Sequence, residues 1–274
     1  MLKHIKSSAI ATAAFIARNP LAWRFIYWIW RRKENAVRHP IDVTYGIRTS
    51  GSVPPFLISP RAKRNGEIGS YSGCRPNCLR RAMATLPAAD AFTFYDLGCG
   101  KGRALAVASE FAFKSIIGIE MSEHLCAIAA DNAALLARRY PDRPPISVVT
   151  GDAAEARFVD GNLVVYFYHS FGRQTLARVV AHLEAVAAKG ADVAIVYENP
   201  VYGDLVDSSP LFSRWHGEQV DCDPDERGFY HQPDGAIVVW RCKATAAVGE
   251  TGHSDFDIVI TIAGARAVVN ARPL

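Results

Sequence analysis

The stretch Asp96-Leu-Gly-Cys-Gly-Lys-Gly-Arg103 decides the fold of this 274-residue chain. It follows the β-rich run Phe92–Leu97 and precedes an alanine- and leucine-rich run, Ala104–Phe113, which predicts a helix. Glycines between a strand and a helix let the main chain approach a ligand closely, beside the helix N-terminus. The stretch therefore predicts a ligand-binding loop at the carboxyl end of a strand.

Strands and helices alternate along the chain after this loop. Further strands are predicted at Ser115–Glu120, Ile146–Thr150, Leu163–Tyr168 and Val193–Tyr197, with helices from Ser122 to about Arg139 and at Thr175–Ala188 between them. After Pro200 the alternation stops, and two strands follow in succession, Phe212–Val220 and Ala236–Lys243. This order predicts an α/β fold: a doubly wound, mostly parallel sheet with a C-terminal antiparallel strand pair.

The chemistry of the loop indicates a nucleoside cofactor. Glu120 closes the second strand, where its carboxylate can accept hydrogen bonds from both hydroxyls of a ribose. The glycines follow a G-x-G-x-G spacing, whereas dinucleotide sites use G-x-G-x-x-G. Asp96 would repel a pyrophosphate but suits a cationic amino-acid group. These features disfavour an NAD-linked oxidoreductase, which stays as an alternative.

Asp96–Arg103 resembles motif I of the class I S-adenosylmethionine (SAM)-dependent methyltransferases, which have a Rossmann-like fold. Ile117–Glu120 is similar to their motif II, and Gly151-Asp152-Ala153 to the segment that holds the adenine. A narrower resemblance is to the bacterial subset related to protein-lysine methyltransferases, carried by Lys101-Gly102-Arg103, by Tyr71, and by Tyr45–Gly51. The resemblance implies methyl transfer from SAM to an unidentified protein lysine or small molecule.

The family pattern also implies residue roles. Asp96 and the glycines Gly98, Gly100 and Gly102 would hold the methionine part of SAM, and Glu120 the ribose. Asp152 and Ala153 would hold the adenine, while Tyr71 would cover the methionine end. No metal ligand is implied.

The chain departs from the subset after the fourth strand. Where the subset has Asn-Pro-Phe, this chain has His169-Ser170-Phe171. A histidine can accept a proton from a hydroxyl or ammonium nucleophile, so we expect His169 to be the catalytic residue. Tyr168 and Phe171 could attract the sulfonium by cation–π interaction, and Glu198-Asn199-Pro200 could line the acceptor pocket.

The basic residues concentrate near the N-terminus. Residues 1–64 carry a net charge of +10, against −6 for residues 65–274. We interpret residues 1–64 as a helical arm and lid-like segment, residues 65–244 as the SAM-binding domain, and residues 245–274 as an extension without assigned role. Trp23, Trp28 and Trp30 with terminal cations predict either association of residues 1–40 with an anionic membrane surface or packing on the domain. So many consecutive bulky apolar residues disfavour a nucleic-acid arm.

The remaining features concern location and class. Six cysteines without ligand spacing predict reduced thiols in a cytoplasmic protein and no zinc site. Half of the chain is apolar, which indicates a globular core, and no stretch is long and apolar enough for a membrane span. The altered sequence after the fourth strand leaves open a non-catalytic, membrane-associated assembly factor that binds SAM.

Overall fold

The computed structural model describes residues 38–54, 58, 70–230, 234–242, 257–262 and 265–270. The predictions for the tryptophan-rich helix of the arm lie outside the described residues. Within them, the predicted strands are present. They are β1 (Phe92–Leu97), β2 (Ser115–Glu120), β3 (Ile146–Thr150), β4 (Asn162–Tyr168), β5 (Val193–Glu198), β6 (Phe212–Asp221) and β7 (Asp234–Cys242).

These seven strands form one sheet in the order β3-β2-β1-β4-β5-β7-β6. Strands β1 to β5 are parallel, and β7 pairs antiparallel with both β5 and β6. Asp96 on the central strand β1 lies between Gly118 on β2 and Tyr166 on β4. The parallel register therefore brings the predicted site residues to one edge of the sheet.

Helices cover both faces of the sheet, as predicted. The helices are α1 (Pro40–Tyr45), α2 (Pro76–Ala84), α3 (Arg103–Ala108), α4 (Glu123–Arg139), α5 (Arg173–Ala187) and α6 (Gly203–Asp207). The core on one face includes buried residues of α1 to α4, and the core on the other face includes residues of α5 and α6. Ser122 caps α4 by accepting a hydrogen bond from the main-chain nitrogen of Leu125.

Two elements refine the sequence predictions. Helix α3 ends at Ala108 and not at Phe113, because the chain turns so that Phe113 is buried against Phe94. The C-terminal extension forms a hairpin of β8 (Asp257–Ile262) and β9 (Ala265–Asn270). No helix among the described residues is long and apolar enough to cross a membrane.

Candidate active site

A cavity of about 310 Å³ lies at the carboxyl ends of β1, β2 and β4. This is the edge of a doubly wound sheet where ligands bind. Six of the nine predicted site residues line it: Tyr71, Asp96, Gly98, Glu120, Asp152 and Ala153.

Asp96, the penultimate residue of β1, lines the cavity and is only 3% exposed. None of the hydrogen bonds among the described residues involves this carboxylate. Burial, together with the nearby charges of Glu120 and Glu198, raises the pKa of Asp96 well above its usual value. A buried carboxylate without a partner is costly, and a cationic ligand would relieve that cost.

Glu120 is held at the end of β2 by main-chain donors. Its Oε2 accepts a hydrogen bond of 2.9 Å from the nitrogen of Gly100, and its Oε1 accepts one of 2.9 Å from the nitrogen of Ser122. Burial raises the pKa of Glu120, and these two N–H groups oppose that shift. A carboxylate oxygen can accept more than one hydrogen bond, so the oriented carboxylate can still bind a diol.

The glycine loop is shaped by its surroundings as well as by the cavity. Gly98 and Gly100 have φ values of +79° and +54°. A Cβ on Gly98 would collide with Ser170, and one on Gly100 would collide with the ring of Tyr71. Gly102, which precedes α3, has a φ of +82°. The last two glycines are therefore required for packing and backbone geometry, and neither lines the cavity.

The far end of the cavity is formed by the loop after β3. Asp152 accepts a hydrogen bond of 2.9 Å from the nitrogen of Ala154 and so starts a short 3-10 turn, Ala153–Glu155. Ile119, Met121 and Leu125 provide apolar surface beside it. An apolar wall next to a carboxylate and main-chain groups suits a flat, polar-edged ring.

Part of the chain matches a known protein family. Residues 95–195 match a family profile described as a methyltransferase domain. A methyltransferase domain thus spans residues 95–195. SAM is the cofactor that such a domain implies. No curated protein matches the chain, and the narrower resemblance to lysine methyltransferases stays a prediction.

Solved structures of methyltransferases are similar to this chain. A TehB-like SAM-dependent methyltransferase from Corynebacterium glutamicum is 15% identical, with 61% of this chain and 87% of that chain covered and a TM-score of 0.40. A SAM-dependent methyltransferase from Aquifex aeolicus is 14% identical, with 60% of this chain and 89% of that chain covered and a TM-score of 0.44. Magnesium protoporphyrin IX methyltransferase from Synechocystis, solved with bound SAM, is 17% identical, with 61% of this chain and 79% of that chain covered and a TM-score of 0.44.

Tyr71 closes the methyltransferase cavity on the side of the glycine loop. Its hydroxyl donates a hydrogen bond of 2.6 Å to the carbonyl oxygen of Thr49. Its main chain pairs with that of Val53 through two hydrogen bonds. The lid-like segment predicted before the domain thus contacts the residue expected to cover the methionine end of SAM.

Sequence reasoning used Lys101 and Arg103 only as family markers and did not predict their contacts. Lys101 donates to the carbonyl oxygen of Ser50 at 2.7 Å, and burial beside Arg103 lowers the pKa of Lys101 to about 7. Arg103 donates to the hydroxyl and carbonyl oxygens of Thr49, and to the carbonyl oxygen of Cys74. Because two basic residues would not favour a cationic cofactor at this loop, we interpret them as groups that hold the preceding segment to the loop.

His169 does not line the cavity of the methyltransferase. Its Nδ1 lies 3.0 Å from the hydroxyl of Tyr197, and burial lowers the pKa of the imidazole. The residue has a φ of +39°, and Asn199 at the end of the neighbouring strand β5 has a φ of +53°. Such strained positions concentrate at functional sites. The role of His169 as a base stays a prediction.

Glu198, named as a candidate for the acceptor pocket, also lies outside the cavity wall. Its carboxylate is fully buried, and it accepts hydrogen bonds from the hydroxyl of Tyr166 and from the nitrogen of Arg75. The guanidinium of Arg75 lies 3.6 Å away. Glu198 therefore orients Tyr166, which does line the cavity.

Proposed function

We propose that this methyltransferase binds SAM in the cavity at Asp96 and transfers its methyl group to an amine of a protein lysine or small molecule. The observation that carries the proposal is the buried carboxyl group of Asp96, a residue that lines the cavity and accepts no side-chain hydrogen bond from the residues that the structure describes. A cofactor with a cationic amino-acid end supplies the missing partner.

The residues around the cavity fit the other parts of SAM. Glu120, oriented by Gly100 and Ser122, would accept hydrogen bonds from the ribose hydroxyls. Asp152 and Ala153 would bind the adenine edge beside the apolar surface of β2. Gly98 would let the main chain approach the methionine part, and Tyr71 would exclude water above it.

When bound, SAM supplies a methyl group already activated by a positive sulfur. The protein therefore contributes alignment of the acceptor with that methyl group and exclusion of water, an effect worth roughly 7–11 kcal/mol where orientation is good. This explains how the site can function without a dyad of catalytic side chains.

The charges and rings of the cavity favour an amine acceptor. Three acidic residues line it, Asp96, Glu120 and Asp152, together with Arg103, whose guanidinium already donates to main-chain carbonyl oxygens. This balance of charge would repel an anionic acceptor. Tyr166, Tyr168 and Phe171 present aromatic surface, which suits a cation or its neutral amine. Burial raises the pKa of Tyr168 to about 12, so its hydroxyl stays protonated and can orient the acceptor. His169 lies between Tyr168 and Ser170, which do line the cavity, and its imidazole, whose pKa burial lowers, would accept the proton of an ammonium acceptor that extends beyond the cavity.

The experiment uses the full chain, methyl-labelled SAM and a cell extract separated into protein, nucleic acid, lipid and small molecules. The proposal predicts label in the protein or small-molecule fraction, bound to nitrogen. The variant Asp96→Asn, of nearly the same shape, should transfer much less label. Label in no fraction would favour the non-catalytic SAM-binding alternative, and label in nucleic acid would overturn the amine proposal.

The arm carries a second proposal, reversible association with anionic membrane surface. It is supported by the net charge of residues 1–64 and by Trp23, Trp28 and Trp30. The test is flotation with neutral or anionic liposomes at low and high salt. We expect salt-sensitive binding to anionic liposomes by the full chain, and none by a chain lacking residues 1–37, which keeps the buried His39. Binding independent of lipid charge and salt, or no binding, would contradict this proposal.

A further inference from the structure

A turn before the domain, Thr49–Ser50, is organised by one buried carboxylate. Asp42, on helix α1, is only 1% exposed. It accepts hydrogen bonds from the main-chain nitrogen and the hydroxyl of Thr49, and from the same two groups of Ser50. Hydrogen bonds to a charged acceptor are stronger than neutral ones, so Asp42 fixes the conformation of this turn.

The carbonyl oxygens of the turn accept hydrogen bonds from the glycine loop. Lys101 donates to the carbonyl oxygen of Ser50 at 2.7 Å. Arg103 donates to the carbonyl oxygen of Thr49 at 3.1 Å and to its hydroxyl at 2.8 Å. The cations that follow the glycines therefore hold the turn to the loop.

The same carbonyl oxygen of Thr49 is shared with the wall of the cavity. It accepts a hydrogen bond of 2.6 Å from the hydroxyl of Tyr71. The ring of Tyr71 lies against Gly100, whose nitrogen in turn binds Glu120. A continuous set of contacts thus leads from Asp42, through Thr49, to Tyr71 at the cavity.

We propose that Asp42 is a positioning residue for cofactor binding: by holding the Thr49–Ser50 turn, it keeps the ring of Tyr71 closed over the SAM cavity. The inference rests on the proposed assignment of that cavity to SAM. It goes beyond that assignment because it gives Asp42, a buried residue outside the cavity, a function in cofactor affinity. Lys101 and Arg103 share that function.

A double-mutant cycle separates this role from a merely structural one. SAM is titrated calorimetrically, without acceptor, into the full chain carrying Asp42→Asn, Tyr71→Phe or both. Each single variant should raise the Kd for SAM by about tenfold, equivalent to about 1.4 kcal/mol. Because Asp42 acts through the tyrosine hydroxyl, adding Asp42→Asn to Tyr71→Phe should raise the Kd by no more than about twofold further.

The control is Asp207→Asn, a substitution of a carboxylate that is largely buried, with its side chain 9% exposed. Asp207 binds Arg214 and the indole of Trp240, and it does not line the cavity. This variant should lower the melting temperature without changing the Kd for SAM. An unchanged Kd for SAM in Asp42→Asn would overturn the inference. So would a Kd in the double variant that rises by the product of the two single-variant increases.

Should Asp42→Asn fail to fold, Ser50→Ala is a smaller change: it removes one hydroxyl, which donates to Asp42 and accepts from the main-chain nitrogen of His39. Ser50→Ala should raise the Kd for SAM by less than Asp42→Asn does. It should do so only in a chain that keeps the hydroxyl of Tyr71. An effect of the same size in the Tyr71→Phe chain would overturn the inference. A wild-type chain that binds no SAM would instead refute the proposed function, which distinguishes the two failures.

Discussion

The main-chain nitrogen of Gly100 donates a hydrogen bond of 2.9 Å to the carboxylate of Glu120, so the loop after β1 is tied to the end of β2. This bond gives Glu120 two tasks. It orients the carboxylate toward the cavity, and it holds the glycine loop in place before any ligand binds. Effects of substitution should therefore appear both in the unliganded protein and in SAM binding.

Glu120→Ala should lower the stability of the unliganded protein and weaken SAM binding. Two main-chain N–H groups lose a charged acceptor, at about 1.5–3 kcal/mol each before compensation by water. Glu120→Gln keeps one acceptor oxygen, so it should lose less stability and less SAM affinity than Glu120→Ala. Thermal unfolding with and without SAM measures the two effects, with the exposed Glu155→Ala as control. Unaltered SAM affinity in Glu120→Ala would show that the ribose site is assigned wrongly.

Gly100→Ala should disrupt the cavity, because the added methyl group meets the ring of Tyr71. Gly190→Ala is a matched control, since Gly190 also has a positive φ but nothing lies within 4 Å of the added carbon. The control should lose about 1–2 kcal/mol from backbone strain alone and bind SAM normally. Chemical denaturation and calorimetry measure both variants. Equal losses of stability and SAM affinity in Gly100→Ala and Gly190→Ala would mean that Tyr71 does not pack on the loop as described.

Asp96→Asn should stabilise the unliganded protein and weaken SAM binding. The pKa of Asp96 is raised from 3.8 in the folded state, so the wild type loses stability as the pH rises from about 4 through that raised pKa. The neutral asparagine avoids this loss. The Asp96→Asn variant should therefore be more stable than the wild type at neutral pH and equally stable in acid.

The same substitution removes the charge that attracts the ammonium, and we expect SAM affinity to fall by at least about tenfold, or 1.4 kcal/mol. The wild type should bind SAM more tightly as the pH rises and Asp96 ionises. Asp131→Asn, at an exposed carboxylate, is the control. A less stable Asp96→Asn variant that binds SAM normally would contradict the assignment.

His169→Ala should lower turnover by about 10²–10⁴ with little change in SAM affinity, as expected for a general base. Tyr197→Phe removes the partner of Nδ1 and keeps the imidazole, so it should lower turnover less. Initial rates of label transfer from methyl-labelled SAM to a cell extract, together with calorimetric titration of SAM, distinguish the two variants. Equal losses in binding and turnover, or equal effects of the two substitutions, would reduce His169 to a role in the fold.

Local patterns in the sequence predicted the sheet well. The bounds of β1, β2 and β3 are those of the predicted strands, because short β-rich or apolar runs are bounded by glycine, proline or charged residues. The antiparallel ending was also predicted, since two successive strand patterns without a helix between them leave few alternatives. The confirmed predictions all rest on residues close together in the chain.

The contacts of the N-terminal segment could not be predicted in this way. Asn132 binds the main chain of Arg48, 84 residues earlier, and Arg103 binds Thr49, 54 residues earlier. No local pattern specifies which buried cation meets which distant carbonyl group, because such pairs form only when the sheet brings the segments together. For the same reason, the packing of Tyr71 on Gly100 was not foreseen, although both residues were predicted to contact SAM.

The most direct test of the central claim is a calorimetric titration of the full chain with SAM and, separately, with NAD. The glycine spacing, the buried carboxylate of Asp96 and the oriented carboxylate of Glu120 predict one SAM bound per chain and no binding of NAD. Binding of NAD, or no binding of SAM, would contradict the assignment of this cavity to a SAM-dependent methyltransferase.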